Sequence, residues 1–183
     1  MKEAPSGNPT HGSCKPVFPD SKSNIMVEIR EFEEQHREGV LYIYEHVMHT
    51  PREDAVADLE NVLRMATGRV FVALESDGTV VGYSTFWFTK WNMIGYIGMI
   101  GVLSGHQGKG IGKKLMKAME DFARTSGVRK IYVDTGSDNL QANIFYLKCG
   151  YFPECAKYDF YRPGVHGIYY VKYLDDGGNG ENG

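Results

Sequence analysis

The segment Gln107-Gly108-Lys109-Gly110-Ile111-Gly112 holds the residue types most suited to chemistry in this chain of 183 residues. An apolar run ends near Val102 just before it, and Ile111, Leu115, Met119 and Phe122 recur at helical spacing just after it. A strand, a short turn and an amphipathic helix are therefore expected, with glycines at the helix start. The first turn of a helix has N–H groups without intrahelical partners and a positive dipole end, so it stabilises an anion. Glycine lets the backbone approach that anion closely and adopt dihedrals that other residues avoid. Lys109, Lys113 and Lys114 add positive potential. The chemistry implied is phosphate binding. A glycine-rich turn that merely starts a helix would carry the same letters.

Three kinds of phosphate loop compete for this pattern. A Walker A loop needs glycine at position 103 and Ser or Thr at 110, where the chain has Leu103 and Gly110. A dinucleotide fingerprint needs GxGxxG, whereas Gly108, Gly110 and Gly112 are followed by Lys113. The third pattern fits. With Gln107, Gly110 and Gly112 in place, and Val102 at the strand end, the segment resembles the coenzyme A loop of the GNAT superfamily of N-acetyltransferases. A second segment, NLQANIFYLKCGY at 139–151, resembles the later motif of that superfamily. Asn139, Ala142, Phe145, Tyr146 and Gly150 match, and Tyr151 stands where the family has Phe. The run Ile131-Tyr132-Val133-Asp134-Thr135 before it also looks like the family's fifth strand. The resemblance covers roughly residues 26–174.

That resemblance implies an α/β (α+β) fold, a mixed sheet of six to seven strands flanked by about four helices and splayed between strands four and five. It implies an enzyme that moves an acetyl group from acetyl-CoA, the donor substrate, to a primary amine by direct attack in a ternary complex, with no metal. By resemblance, the backbone N–H groups of Gln107, Gly108, Lys109, Gly110, Ile111 and Gly112 hold the pyrophosphate. The backbone of Ile100, Gly101 and Val102 bonds pantetheine like an added strand. Asn139 lies near the pantetheine or phosphate arm. Tyr146 points at the sulfur and is the candidate acid for the thiolate, the plainer reading being an aromatic that packs a helix on the sheet. Backbone N–H groups of the 99–102 stretch are candidate donors to the oxyanion. Many family members carry a base glutamate on the fourth strand, but residues 93–103 contain no carboxylate. Asp134, His106 or a water chain is left for that role. Glu45, His46 and His49, near the end of the first helix, read first as surface residues. Cys149 reads as helix packing. A coenzyme-A-binding regulatory module without catalysis, or an interaction domain without cofactor, would keep the same fold.

The elements that must position these groups follow from periodicity. Residues 26–32 alternate as a half-buried strand does, and 33–48 form a helix with Val40, Ile43, Tyr44 and Val47 on one face. Thr50-Pro51-Arg52-Glu53 reads as a helix start, with Thr50 as cap and Glu53 completing a capping box. Val56, Leu59, Val62, Leu63 and Met65 are expected inward from that helix. Residues 69–75 and 79–89 read as a hairpin around Asp77-Gly78, and 93–103 as the next strand. A helix over 108–126, a strand over 129–134 and a helix over 139–149 capped by Gly150 come next. Strands over 152–161 and 167–174 close the domain, assigned to 25–174. Residues 1–24, where Val17 and Phe18 are candidates to dock on the domain, and acidic 175–183 read as flexible tails.

Composition narrows the partners. A net charge of −3 gives no reason to expect nucleic acid. No apolar stretch reaches the ~18 residues of a membrane span, and no secretory signal is expected. Three cysteines without CxxC spacing suit a reducing cytoplasm rather than disulfides or zinc. The resemblance admits a homodimer. It also implies that acceptor selectivity comes from the first two helices with their 46–52 loop and from the 162–167 loop, which lack the dense acidic lining that a polycation would need. Trp87, Trp91, Tyr158 and Tyr161 are candidate walls of an apolar or aromatic pocket. A peptide or protein amine, then a small primary amine, are the acceptor classes expected.

Overall fold

Seven strands hydrogen-bond into one mixed sheet in the computed structural model, which describes residues 27–174. Both expected tails, with Val17 and Phe18, lie outside the described residues. In chain order the elements are β1 (Glu28–Glu31), a 3-10 turn (Glu34–His36), α1 (Arg37–Val47), α2 (Arg52–Arg64), β2 (Arg69–Leu74), β3 (Val80–Thr89) and β4 (Ile94–Val102). A second 3-10 turn (Ser104–His106), α3 (Ile111–Thr125), β5 (Lys130–Gly136), α4 (Leu140–Lys148), β6 (Phe152–Arg162) and β7 (Val165–Tyr173) complete it. The strand order is β1-β2-β3-β4-β5-β7-β6. Only β4 and β5 run parallel.

Alternation along β3 puts helices on both faces of the sheet. Tyr83 packs with Leu41, Ile43, Tyr44 and Leu59 of α1 and α2. Phe86 packs with Met116 and Met119 of α3 and Tyr146 of α4. No helix among the described residues is long and apolar enough to cross a membrane.

The feature that positions the site is a fork. Strands β4 and β5 pair only at Ile94↔Lys130, Gly95↔Ile131 and Tyr96↔Tyr132. Beyond Tyr96, β4 pairs with β3 alone, and beyond Tyr132, β5 pairs with β7 alone. A bulge bends β4 at this point, because Gly98 and Met99 together face Thr85. The Met99 N–H donates to Thr85 Oγ1 at 2.9 Å, replacing the ladder bond lost there. A Cβ on Gly98 would stand 2.5 Å from the Trp87 ring and 2.8 Å from Thr85 Oγ1, so only glycine fits the bend.

Two expectations about α2 change. Pro51, not Thr50, is the N-cap, with extended backbone and no side-chain capping bond. Thr50 belongs to the end of α1: His49 turns the chain at φ 55°, and the Thr50 N–H closes on the Tyr44 carbonyl at 3.1 Å. The helix buries the stripe Ala55, Leu59 and Val62, while Leu63 and Met65 lie outside it and are exposed. One ion pair ties three elements together. Lys172 of β7 donates to both carboxylate oxygens of buried Glu120 on α3, at 2.8 and 2.9 Å, and to the Cys149 carbonyl at the end of α4.

Candidate active site

A cleft of about 780 Å³ opens where β4 and β5 part. On one side it is lined by Gly98 to Val102, on another by the glycine loop, and on the third by Asp134, Asn139 and Tyr146. Of the residues assigned from the sequence, Ile100, Gly101, Val102, Gln107, Gly108, Gly110, Gly112, Asn139 and Tyr146 line it. Lys109 is exposed outside the lining, and the Ile111 side chain is buried in the core beside Leu115. For these two residues only the backbone faces the loop.

The loop geometry suits an anion. Gly108 and Gly110 have φ of 75° and 81°, in the left-handed region, and a Cβ at either would meet nothing within 4 Å. They are glycines for their dihedrals, and they leave open space above the loop. The first helical bond runs from Lys114 N–H to the Gly110 carbonyl. Among the described residues, the N–H groups of Gly108 through Lys113 find no protein acceptor. Gly112 has a different reason to be glycine: a Cβ there would press the Phe145 ring at 3.2 Å, so it sets how closely α3 and α4 pack. Gln107 Nε2 donates to the Val102 carbonyl at 3.0 Å and pins the loop to the strand end.

The β4 backbone sorts itself by alternation. The Leu103 N–H bonds Val81 on β3, so Gly101 also faces β3, and Ile100 and Val102 present their polar groups to the gap. This corrects the expected oxyanion donors. Met99 spends its N–H on Thr85 and Gly101 turns away, leaving Ile100 and Val102. Gly101 is present because a Cβ would lie 2.8 Å from Met48 Cε and 3.0 Å from Ile43 Cγ2.

Asn139 caps α4, its side-chain oxygen accepting from the Ala142 N–H at 3.1 Å. Tyr146 is 5% exposed, and among the described residues its hydroxyl has no hydrogen-bond partner. Burial, and then the charge of nearby Asp134, push its phenol well above the usual range, so it keeps its proton. Among the described residues Asp134 is the one carboxylate lining the cleft, and it accepts a hydrogen bond from Tyr161 at the tip of the β6–β7 hairpin. Arg162 pairs with Asp138 at 2.6 Å and braces the same tip.

The model of the Acetyltransferase (GNAT) family matches residues 28–151. The chain belongs to this family. Streptothricin acetyltransferase of Streptomyces lavendulae is 36% identical over 86 residues, 47% of this chain and 46% of that protein. The chain thus spans about half the length of that relative. Aminoglycoside N(6')-acetyltransferase type 1 of Stenotrophomonas maltophilia is 27% identical over 117 residues, 60% of this chain and 76% of that protein. An acetyltransferase from Salmonella typhimurium, solved with its cofactor acetyl-CoA, superposes with a TM-score of 0.69 at 21% identity, over 82% of this chain and 95% of that one. It shares the fold of this chain, whose mixed sheet has its one parallel pair at β4 and β5.

Within this GNAT site, the other candidates for proton transfer are committed elsewhere. His106 lines the cleft, but its Nε2 lies 3.0 Å from Glu75 Oε1 on the far side of the loop. Glu45 pairs with Arg52 at 3.0 Å, and His46 Nδ1 sits 2.9 Å from the Tyr42 carbonyl with its ring stacked on Tyr42. His49 is exposed outside the lining. The Cys149 thiol is half-buried and burial pushes it up, so it stays protonated, as a packing residue would. Trp91 and Tyr158 are 86% and 82% exposed and do not wall the cleft, whereas Val47, Met48 and Tyr161 do. Three contacts were missed from sequence: Tyr161 on Asp134, Thr85 on Met99, and Gln141 on Gln107. Only Thr85, a polar residue inside the apolar run of β3, left a local signal.

Proposed function

We propose that this chain is an N-acetyltransferase that transfers the acetyl group of acetyl-CoA to a primary amine of a small molecule or a peptide, by direct attack. The observation that carries the reading is the meeting, across a forked sheet, of a cleft with one carboxylate and a glycine loop whose N–H groups from 108 to 113 have no acceptor among the described residues. The donor brings a thioester carbonyl and a diphosphate. The N–H array of 108–113 receives the diphosphate, and Ile100 and Val102 bond the pantetheine amides. The carboxylate of Asp134 takes the proton from the acceptor ammonium. The freed amine nitrogen attacks the carbonyl carbon, the C–N bond forms, and the oxyanion accepts from the Ile100 N–H. As the C–S bond breaks, the nitrogen sheds its second proton, which ends on the departing thiolate, and the Tyr146 hydroxyl donates a hydrogen bond to that sulfur. A phenol held above its usual range is a poor full proton donor to a thiol of ordinary pKa, so Tyr146 acts first as a hydrogen-bond donor. When Asp134 accepts its proton, one of the charges raising Tyr146 disappears and the phenol becomes a better acid at that moment.

Calorimetry with acetyl-CoA, followed by thiol release with a panel of amines, tests the reading. Absence of binding rejects it, and binding without thiol release from any amine makes the chain a coenzyme-A-binding module instead. Gly110→Val tests the loop. A β-branched residue at φ 81° costs about 1–2 kcal/mol or turns the N–H array away, so affinity for acetyl-CoA should fall roughly tenfold. Melting temperature should fall by only about 2–8 °C, because the strain is confined to one exposed turn. Tyr146→Phe should lower turnover roughly 10²-fold while acetyl-CoA affinity stays within about twofold. Unchanged turnover would remove Tyr146 from the chemistry.

A further inference from the structure

The face of the sheet opposite α3 and α4 carries a row of three aromatic rings beside the cleft. Trp87 of β3, Tyr96 of β4 and Tyr132 of β5 stand at paired positions on adjacent strands. Their rings are nearly parallel, with centroids 6.0 Å apart for Trp87–Tyr96 and 6.2 Å for Tyr96–Tyr132. All three remain partly exposed. Tyr96↔Tyr132 is the last pair before β4 and β5 separate, so the row runs along the crotch of the fork. It meets the cleft at two points. Gly98 lies against the Trp87 ring, and Asp134 shares its face of β5 with Tyr132, two residues on.

Resting on the acetyltransferase reading above, we infer that this row is the acceptor subsite and that the acceptor is a small arylalkylamine: a planar apolar group on the rings, joined by a short tether to one ammonium at Asp134. Charge placement argues for this division. The cation position beside the outer ring is already filled, since Lys130 Nζ lies 4.6 Å from the Tyr132 centroid and donates to its hydroxyl at 2.6 Å. A second cation on that ring would be repelled, so the row is left for an uncharged ring. The ligand's cation goes to Asp134, the one carboxylate of the cleft. The carboxylate beside the outer ring, Glu154, is already matched by Lys130 at 3.6 Å, so it offers a polyamine no uncompensated charge. Two residues along a strand span about 7 Å, which a tether of about two or three carbons bridges. The braced hairpin tip, with Tyr161 on Asp134 and Arg162 on Asp138, stands at the carboxylate end of the row and suits a small molecule better than a chain passing through.

The chain has two tryptophans, so Trp91→Phe leaves Trp87 as the sole reporter in the row, and Trp91 itself lies 86% exposed away from the cleft. In that variant, 2-phenylethylamine should change Trp87 fluorescence saturably, and spermidine at equal concentration should not. In thiol-release assays, kcat/KM for 2-phenylethylamine should exceed that for propylamine and for spermidine roughly tenfold, the worth of aromatic contacts at such a site. Tyr96→Ala should collapse the phenylethylamine-to-propylamine ratio, with acetyl-CoA affinity by calorimetry as the control for folding. A flat fluorescence titration, or spermidine or a phenylalanyl peptide amide turned over as well as 2-phenylethylamine, overturns the inference. Saturable fluorescence without thiol release from any amine would uphold the subsite and reject acetyl transfer.

Discussion

Asp134→Asn should lower kcat by about 10²- to 10⁴-fold, the range expected for loss of a general base. Affinity for acetyl-CoA should stay within about twofold, because the loop and the β4 backbone are untouched. The asparagine is nearly isosteric and its oxygen still accepts from Tyr161, so the fork and the hairpin tip keep their places. The prediction rests on an exclusion that the structure makes concrete. Strand β4 holds no carboxylate, and among the described residues Asp134 is the only one lining the cleft. His106→Ala is the matching control and should cost less than about threefold, since that imidazole leans on Glu75. A rate for Asp134→Asn within threefold of the parent, or a larger loss in His106→Ala, would move the base elsewhere.

Much of the glycine-loop side of the cleft was legible in the sequence because its backbone requirements are local. Left-handed dihedrals at Gly108 and Gly110 need glycine, and a helix starting at Ile111 needs the apolar spacing that follows. Gly101 and Gly112 match the same pattern for a different reason, side-chain crowding, which letters alone do not distinguish. The side of the cleft around Asp134 was less legible. Asp134 and Tyr161 are 27 residues apart, and His106 and Glu75 are 31 apart. Their meetings depend on strand order and on where a hairpin bends. The hairpin itself is tighter than expected: Arg162 pairs with Val165, so only Pro163 and Gly164 turn, and the strands run into what read as a loop over 162–167. Met99 was misassigned because a bulge is invisible to a period-of-two reading.

Lys172→Met should destabilise the fold by about 3 kcal/mol, because it leaves the buried Glu120 carboxylate with only its longer contact to Arg124 at 3.6 Å. At roughly 2–4 °C per kcal/mol for a domain of this size, the melting temperature should drop by about 10 °C. The pair's net worth is smaller than the cost of breaking it. Lys172→Met combined with Glu120→Leu should therefore recover most of the loss. Thermal denaturation followed by circular dichroism reads both variants. A double variant no more stable than the single would show that the lysine's bond to the Cys149 carbonyl, not the carboxylate, carries the effect.

The strand framework was easier to read than its ends. Hairpin β2–β3 closes at Gly78 with φ 86°, as Asp-Gly between apolar runs predicts. The helix α2 start was misplaced because His49 adopts a left-handed conformation that few non-glycine residues take, which moves the boundary by one residue. Its inward face is narrower than the run of apolar letters suggests, because α2 touches the core along one stripe only.

Strand β6 is the last in the sheet and all of Phe152–Arg162 is exposed, which raises the question of why another molecule's strand would not simply continue the ladder. Its outer rim is broken for that purpose. Pro153 lacks an N–H, the register slips twice against β7, and Asp159 bends the backbone at φ 51°. Lys157, folded over the Phe160 and Tyr169 rings, adds a charge that an incoming strand would have to bury. At the opposite rim β1 is four residues long and carries Glu28, Arg30 and Glu31. A copy of this chain would find no straight run of free donors and acceptors at either margin, so crowded solutions should favour association through side-chain faces over fibre-like stacking of sheets.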